Sequence, residues 1–307
     1  MLLKYQPKPL MDFHPVSLNL RETIEEYRHA WGLCNSEHTF TNIFIWGHNG
    51  IIKAAHLNKV LYILLDYGTR PPFMFAPITQ SKNMDYGEAV AAAADYFSKI
   101  GAEPVFHAVT GPLKEAFEKS CPEYELTEDR DNFDYVYRTQ DLLTLSGKKY
   151  HSKRNHINQF TSLYEYEYQK LSPSMLDECL EVYLKWLSGK DVFEPGILGE
   201  LDAIKTIITN MNALGVHGGC IRINGKLTAF ALGERITPDT ELIHIEKADA
   251  KINGLYAMIN REYVEHECVG TKFINREEDM GLEGLRRAKL SYHPAVMIEK
   301  YTAKLRK

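Results

Sequence analysis

Cysteine is scarce in this chain and never paired in sequence. The five present, Cys34, Cys121, Cys179, Cys220 and Cys268, are scattered, odd in number and without a C-x-x-C spacing. That pattern excludes a disulfide framework and a metal site, and it points to a reducing compartment. Long hydrophobic runs are missing as well. Runs such as Val60–Leu65 fall far short of the roughly 20 apolar residues a membrane-spanning helix needs. The opening stretch, MLLKYQPKPLMDFHPV, has neither a long apolar core nor a small-residue cleavage site. It therefore reads as no secretion signal, and the expected location is the cytoplasm. The common catalytic fingerprints G-x-S-x-G, H-E-x-x-H, the P-loop and G-x-G-x-x-G do not occur. Hydrolase, metalloprotease and nucleotide-dehydrogenase readings thus lose their support. No large excess of one charge exists either. The balance of 36 basic against 41 acidic residues gives −5, which does not suit a bulk polyanion binder.

The chain does have a capacity for a core. Its 307 residues, 44% of them hydrophobic, are more than one average domain and fewer than three. Apolar residues at Leu20, Ile24, Tyr27 and Trp31 predict a helix over 20–33. Two strand-like runs around Leu57-Asn58-Lys59 predict a hairpin, and Pro72–Ile78 reads as a third strand. A helix over Tyr86–Ile100 stops at Gly101. The strand Pro104–Val109, the helix Pro112–Ser120 and two strands within Tyr124–Leu145, around the polar tip Glu128–Asn132, complete the first half. The composition then shifts to SGKKYHSKRNHINQF, where the domain junction is expected, giving domains 1–147 and 148–307.

The second half repeats the same order. A strand over Tyr164–Leu171 precedes helices over Pro173–Leu187 and Leu198–Leu214, with a loop at Ser188–Gly196 between them. Asn224-Gly225 marks a second hairpin. Then come the strand Glu241–Ala248, the helix Gly254–Val269, the strand Lys272–Glu277, the helix Gly281–Tyr292 and a last strand over Ala295–Leu305. An internal duplication of one α/β unit is the economical account, with the C-terminal copy the functional one.

The strands Glu241–Ala248 and Lys272–Glu277 flank a helix, so they are expected to be parallel neighbours. Their carboxyl ends carry Glu246-Lys247-Ala248-Asp249 and Asn275-Arg276-Glu277-Glu278-Asp279, and ligands bind beyond such ends. At about 100° per residue, Leu282, Leu285, Ala288, Lys289 and Tyr292 share a helix face. A lysine inside that stripe needs an anion, with Glu246, Glu277, Asp279 or a ligand as candidates. Arg286 flanks the face, and Gly281 and Gly284 would let a backbone or an anion approach the helix start. The plainer account is a structural ion-pair network. The basic tract, with Lys149, Lys153, Arg154 and His156, is the second candidate: an anion cradle for phosphate or nucleic acid, or simply a solvated helix face. His244, amid apolar residues, reads as a satisfied core histidine.

The order of elements over 161–307 resembles the acyl-CoA N-acyltransferase (GNAT) fold, and the doubling resembles tandem members such as the Fem-type peptidyltransferases. Three segments, GKKYHSKRNHINQF, IEKADAKINGLYAMINREY and INREEDMGLEGLRRAKLSYHP, are similar to a bacterial family related to the C-terminal catalytic region of phosphatidylglycerol lysyltransferase. The resemblance implies an α/β (α+β) chain of two tandem GNAT-like domains, each a mixed sheet flanked by helices. It also implies transfer of an acyl or aminoacyl group to an amine or hydroxyl. Acetyltransferases of this fold hold the coenzyme A pyrophosphate on a glycine-rich loop. Here that stretch, Lys247–Gly254, has one glycine and an aspartate, so aminoacyl-tRNA fits better than acyl-CoA as donor. The acceptor class is a small molecule, a peptide or a lipid headgroup. Glu246 or Asp279 would orient or deprotonate the acceptor. Asn275, Arg276, Glu277, Arg286 and Lys289 would hold substrate, while Lys149, Lys153, Arg154 and His156 would bind phosphate. No metal is expected. Two rivals are a non-catalytic ligand-binding protein of the same fold and an acetyl-CoA-dependent N-acetyltransferase.

Overall fold

A computed structural model describes residues 11–188 and 197–307. Its contacts form two compact units: Met1–Leu33 with Asn49–Glu128 and Lys300–Lys307, and Cys34–His48 with Asp129–Glu299. The break is therefore not the compositional one at 147/148. Three stretches of chain, 34–48, 129–147 and 300–307, belong with the other unit because their hydrogen-bonding partners lie there. The expected loop at Ser188–Gly196 lies, from residue 189 on, outside the described residues.

The first unit holds a mixed eight-stranded sheet. Ile52–Leu57 and Val60–Leu65 form the expected hairpin. Asn58 and Lys59 both take left-handed φ, the geometry of a two-residue turn whose twist matches the strands. The helix Tyr86–Lys99 is capped by Asp85 at its start and stopped by Gly101 in the left-handed region. Met74 and Phe75 pair in parallel with the strand Val105–Val109. Tyr124–Glu128 and Tyr301–Leu305 complete the sheet side by side.

The second unit carries the site, and its elements are labelled here in chain order. They are α1 (Phe40–Ile45), β1 (Asp134–Arg138), α2 (Thr139–Thr144), α3 (His151–Leu163), β2 (Tyr166–Lys170), α4 (Leu176–Leu187), α5 (Ile197–Thr209), β3 (His217–Ile223), β4 (Lys226–Thr237), β5 (Thr240–Ala248), α6 (Leu255–Glu267), β6 (Phe273–Asn275), α7 (Glu283–Leu290) and β7 (Val296–Ile298). The sheet order is β7-β1-β6-β5-β4-β3-β2. Only β5 and β6 are parallel, as their intervening helix requires. Ile157 and Phe160 of α3 and Leu255, Met258, Ile259 and Tyr263 of α6 bury against Ile221, Ala231, Ile243 and Ala248 of the sheet. A fully buried aromatic such as Phe160 contributes about 1.5–3 kcal/mol of hydrophobic stabilisation. Helix α4 packs against β4 and β5.

The two strands expected within Tyr124–Leu145 are present but join different sheets: Tyr124–Glu128 enters the first sheet and Asp134–Arg138 is β1 of the second, while Thr139–Thr144 is helical and not extended. Likewise Ala295–Leu305 is two strands, β7 in one sheet and Tyr301–Leu305 in the other. Strand propensity is a local property, whereas the sheet a strand joins is set by long-range pairing.

Register explains one local detail. Leu232 pairs with Ile245 and Gly233 with Ile243, so His244 has no opposite residue and forms a bulge in β5. Beyond it, Glu246 reaches Asn260 of α6.

The turn into α6 is equally constrained. Gly254 caps that helix with φ +83, and an added Cβ would lie 2.3 Å from the carbonyl oxygen of His156 in α3. Gly254→Ala therefore combines a left-handed conformation with a backbone clash. Its expected cost is about 2–4 kcal/mol, measurable as a lower denaturant midpoint; unchanged stability would mean that α3 does not press on this turn.

Candidate functional site

Strand β5 ends at Ala248 and β6 at Asn275, so the two parallel strands open on one edge. Glu246 and Arg276 meet there. Arg276 Nη2 donates to Glu246 Oε1 at 3.0 Å, and Asn260 Nδ2 donates to Oε2 at 3.0 Å. The Arg276 side chain is 13% exposed. Its guanidinium lies 4.9 Å from the ring centroid of Tyr292 and 5.7 Å from that of Tyr137. Its Nη1 is buried with no hydrogen-bond partner among the described residues.

One member of the basic tract joins this cluster. Lys153 Nζ lies 3.9 Å from the same Tyr292 ring. Burial, and then the charge of Arg276, push its pKa down to about 8, against the pull of Glu246. The rest of the tract acts elsewhere. Lys149 pairs with Asp141 at 3.6 Å, and Arg154 donates to the carbonyls of Leu145 and Gly147, tying down the turn before α3. His156 is exposed, and what its residue contributes is the carbonyl packed on Gly254.

Residues 275–289 are brought together differently from expectation. Asn275 is buried and occupied: its amide donates to Asp134 at 2.9 Å and to the Cys34 carbonyl at 3.2 Å, while its Oδ1 accepts the Glu277 amide at 2.8 Å. Both donors of its amide are spent on holding chain. Lys289 is buried, but its face is not an apolar stripe, because Leu282 and Ala288 are exposed. Its Nζ takes two backbone carbonyls in place of a carboxylate, Arg276 O at 2.5 Å and Glu278 O. Burial drives its pKa down to about 8 although Glu278 and Glu277 oppose this.

Asp279 is the clearest correction. Its carboxylate is fully buried and accepts from Arg286 Nε and Nη2 at 2.9 and 2.7 Å, Tyr135 Oη at 2.5 Å, Gly281 N at 2.9 Å and Arg130 Nη1 at 3.3 Å. Burial alone would raise its pKa, but the Arg286, Tyr135 and Gly281 hydrogen bonds outweigh that and hold it at about 2. A general base needs proton affinity near neutral pH, and this group has the opposite. Arg286 is consumed in the same pair and in a bond to Asp131 at 2.6 Å. Gly281 is favoured by its left-handed φ of +73, and a Cβ there would also crowd the exposed Asp131 carboxylate at 2.8 Å, whereas Gly284 faces open space.

Glu277 belongs to a second cluster, on the His244 bulge. His244 Nδ1 faces Glu277 Oε1 at 3.0 Å and Asn42 Oδ1 at 3.1 Å, and Nε2 faces Glu234 Oε1 at 3.1 Å. Acceptors on both nitrogens call for the doubly protonated ring. Burial lowers its pKa, but the two carboxylates overcome this and raise it to about 9. The histidine is thus satisfied, as expected, though by ionic partners. Asn42 comes from α1 and Glu234 from β4. Nothing in the sequence ties these three positions together, because the link is a register bulge and a contact 202 residues long. Asn260 and Tyr292 also belong to the edge without a charge to mark them in the sequence; Asn260 lies inside IEKADAKINGLYAMINREY, on a helix that faces β5.

Chemically, the open edge has a carboxylate fixed by two donors, beside two cations. Such a set can orient a nucleophile and stabilise an oxyanion. An open depression of about 580 Å³ lined by Arg138, Thr139, Val264, Cys268 and Lys272 lies towards the other end of β6, and none of the Glu246–Arg276 cluster lines it. In the loop 249–254, the amides of Asp249, Lys251 and Ile252 are already donated within the protein, as is that of Leu255.

Residues 32–304 match the family model described as phosphatidylglycerol lysyltransferase, C-terminal. A conserved protein of unknown function from Bacteroides thetaiotaomicron VPI-5482 superposes with a TM-score of 0.88 at 34% identity, over 97% of this chain and 100% of that one. L-PGS from Bacillus licheniformis gives a TM-score of 0.64 at 15% identity, over 98% of this chain and 94% of that one. A tandem GNAT protein from the clavulanic acid biosynthesis pathway gives 0.54 at 11% identity, over 96% and 98%. The last two establish likeness of fold alone: two tandem GNAT-like domains.

The Asp279 geometry has a measurable consequence. A carboxylate with a depressed pKa stabilises the fold above its ordinary value of 3.8, and that contribution is lost as pH falls towards about 2. Acid unfolding followed by tryptophan fluorescence should therefore draw on this window. Asp279→Asn should already be less stable at neutral pH, by about 3 kcal/mol or more, with a weaker acid dependence. Equal midpoints at neutral pH would contradict the buried pair.

Proposed function

The chain belongs to the phosphatidylglycerol lysyltransferase C-terminal family, and from that premise we propose that its second unit transfers an aminoacyl or acyl group to an amine or hydroxyl acceptor. The observation that carries this reading is the meeting of Glu246, Arg276 and Lys153 at the open edge of β5 and β6. Family and fold together support a transferase at the coarse level; the donor, the acceptor and the residue roles below are the proposal.

Glu246 is the group suited to the acceptor. Its two anchoring donors, Asn260 and Arg276, fix the carboxylate and leave lone pairs for a third partner. An acceptor N–H or O–H bonded to it is aimed at the acyl carbonyl of the donor. As the new N–C or O–C bond forms, the nucleophile's proton passes to Glu246. The acyl–oxygen or acyl–sulfur bond then breaks, and the proton leaves with the departing group. Negative charge developing on the carbonyl oxygen lies in the positive field of this edge. Asp279 and Lys289, spent on Arg286 and on two carbonyls, shape the edge without joining the chemistry.

An aminoacyl ester, as on aminoacyl-tRNA, fits this edge better than a coenzyme A thioester. A pyrophosphate cradle needs free backbone amides at the start of the helix, and the loop 249–254 has donated several of its own. The family's name suggests a lysyl group and a lipid headgroup as the first donor and acceptor to try. Among the described residues no helix is long and apolar enough to cross a membrane, so a lipid acceptor would be met at a bilayer surface.

The test incubates the purified chain with labelled aminoacyl-tRNAs, and separately with acetyl-CoA, against phosphatidylglycerol vesicles, peptides and small amines. Transfer from an aminoacyl-tRNA is expected, and Glu246→Gln should slow it about 100-fold or more in a chain still folded at the assay temperature, although the lost partner of Arg276 lowers its melting temperature. Full activity in Glu246→Gln would remove Glu246 from the mechanism. Binding without turnover across all donors would favour a non-catalytic binding protein, and turnover with acetyl-CoA alone would favour an acetyltransferase.

A further inference from the structure

Charge at the open edge does not balance. Arg276 and Lys153 bring two positive charges to one tyrosine ring, at 4.9 and 3.9 Å from its centroid. The carboxylate facing them is Glu246, already bonded to Arg276 Nη2 and Asn260. Lys153 Nζ has no hydrogen-bond or ion-pair partner among the described residues; its contact is the ring. Arg276 Nη1 is buried and also without an acceptor. Two cations held together at a half-buried edge repel, and an unmet buried donor such as Arg276 Nη1 is itself costly. Lys289 next door shows the contrast, since two backbone carbonyls accept from its ammonium. Nothing equivalent serves Lys153.

We propose that Lys153 Nζ and Arg276 Nη1, over the face of Tyr292, form an oxyanion subsite that recognises a carboxylate or phosphate group on the substrate. One negative charge there neutralises the excess cation and supplies acceptors to both unmet donors. Glu246 borders the subsite on one side, so the recognised group and the reacting nucleophile sit on the same molecule, a short distance apart. The acceptor is then a small amine or alcohol bearing an oxyanion, and a neutral amine is disfavoured. Assigning the group to the acceptor rests on the transferase reading above; the anion site itself does not.

The subsite is tested without any donor. Inorganic phosphate and acetate are titrated into the whole chain by calorimetry and thermal shift, with chloride at equal ionic strength as reference. The guanidinium of Arg276 is too closely tied to the fold to remove cleanly, so the variant is Lys153→Met, which keeps the stem over Tyr292. Lys272→Met, at the opposite end of β6 and paired with Asp239, is the control. Wild type and Lys272→Met should bind one or both oxyanions. Lys153→Met should bind them about tenfold or more weakly, with a melting temperature in anion-free buffer equal to or above that of wild type, because a partnerless cation has gone. A phosphate response marks a phosphate-bearing acceptor and an acetate response a carboxylate-bearing one. Equal responses in all three proteins, a chloride effect as large as the others, or a Lys153→Met chain that melts lower and binds as before would each overturn the subsite. Oxyanion binding without any aminoacyl or acyl transfer leaves the subsite standing and counts against the transferase reading alone.

Discussion

The short strand β6 is the constraint from which the rest of the second unit follows. It pairs for only three residues, between parallel β5 and antiparallel β1. Where it stops, its chain is still buried, and buried backbone groups must find partners. Those partners are the features of residues 275–289. Asn275 ties the end of the strand to Asp134 and to Cys34. Glu277 and Met280 take left-handed φ, and Gly281 does so at no cost. Lys289 reaches back from α7 to the carbonyls of Arg276 and Glu278. Asp279 pins the start of that helix through Arg286 and the Gly281 amide. Each bond fixes backbone, and the sum of them places Arg276 against Glu246.

This division of labour separates two carboxylate–arginine pairs that look alike in sequence. Asp279 and Arg286 are saturated: the acid has five donors, and the base has two acids. Glu246 and Arg276 are not, for the acid has two donors and the base keeps one nitrogen open. A saturated pair stabilises, and a pair with spare bonding capacity can bind. The rule also covers the cluster on the bulge. His244 is ionised between Glu234 and Glu277 with both nitrogens engaged, and it joins β4, β5 and the turn after β6 as a cross-brace. Because its pKa is raised to about 9 from 6.5, its contribution is complete below 6.5 and fades as pH rises through 9.

How much of this could be read from the sequence depended on distance along the chain. Helices, hairpins and the parallel pair β5–β6 follow from local periodicity, turn residues and a crossover rule. The meeting of Glu246 and Arg276 is legible in the same way, since it needs only the ends of two parallel strands. What local pattern cannot give is partnership. Asp279 and Lys289 carry the charges that suggest a site, yet their roles depend on Arg286, Tyr135 and the carbonyls of the turn. Tyr124–Glu128 and Asp134–Arg138 are neighbours in sequence, but they belong to different sheets. Residues 34–48 have little periodicity of their own. They lie in the second unit because Ser36 and Asn42 find Asp134, Glu277 and His244 there.

Lys289, which is buried, and Lys153, which is half-buried, make the final distinction. Both are lowered to about 8, chiefly by burial. A perturbed pKa by itself would rank them as equal candidates for function. Desolvation has the same sign wherever it occurs, so it reports depth and nothing about use. The difference lies in the atoms that replace the lost water. For Lys289 two carbonyl oxygens do so, and the cation is part of the turn it stabilises. For Lys153 the replacement is an aromatic face and a neighbouring arginine, which is favourable in one contact and unfavourable in the other. A site evolves most easily where such a debt is left standing, because a ligand that supplies the missing acceptor gains the full energy of a charge-assisted bond. At the open end of β5 and β6, that position belongs to Lys153 and Arg276 together.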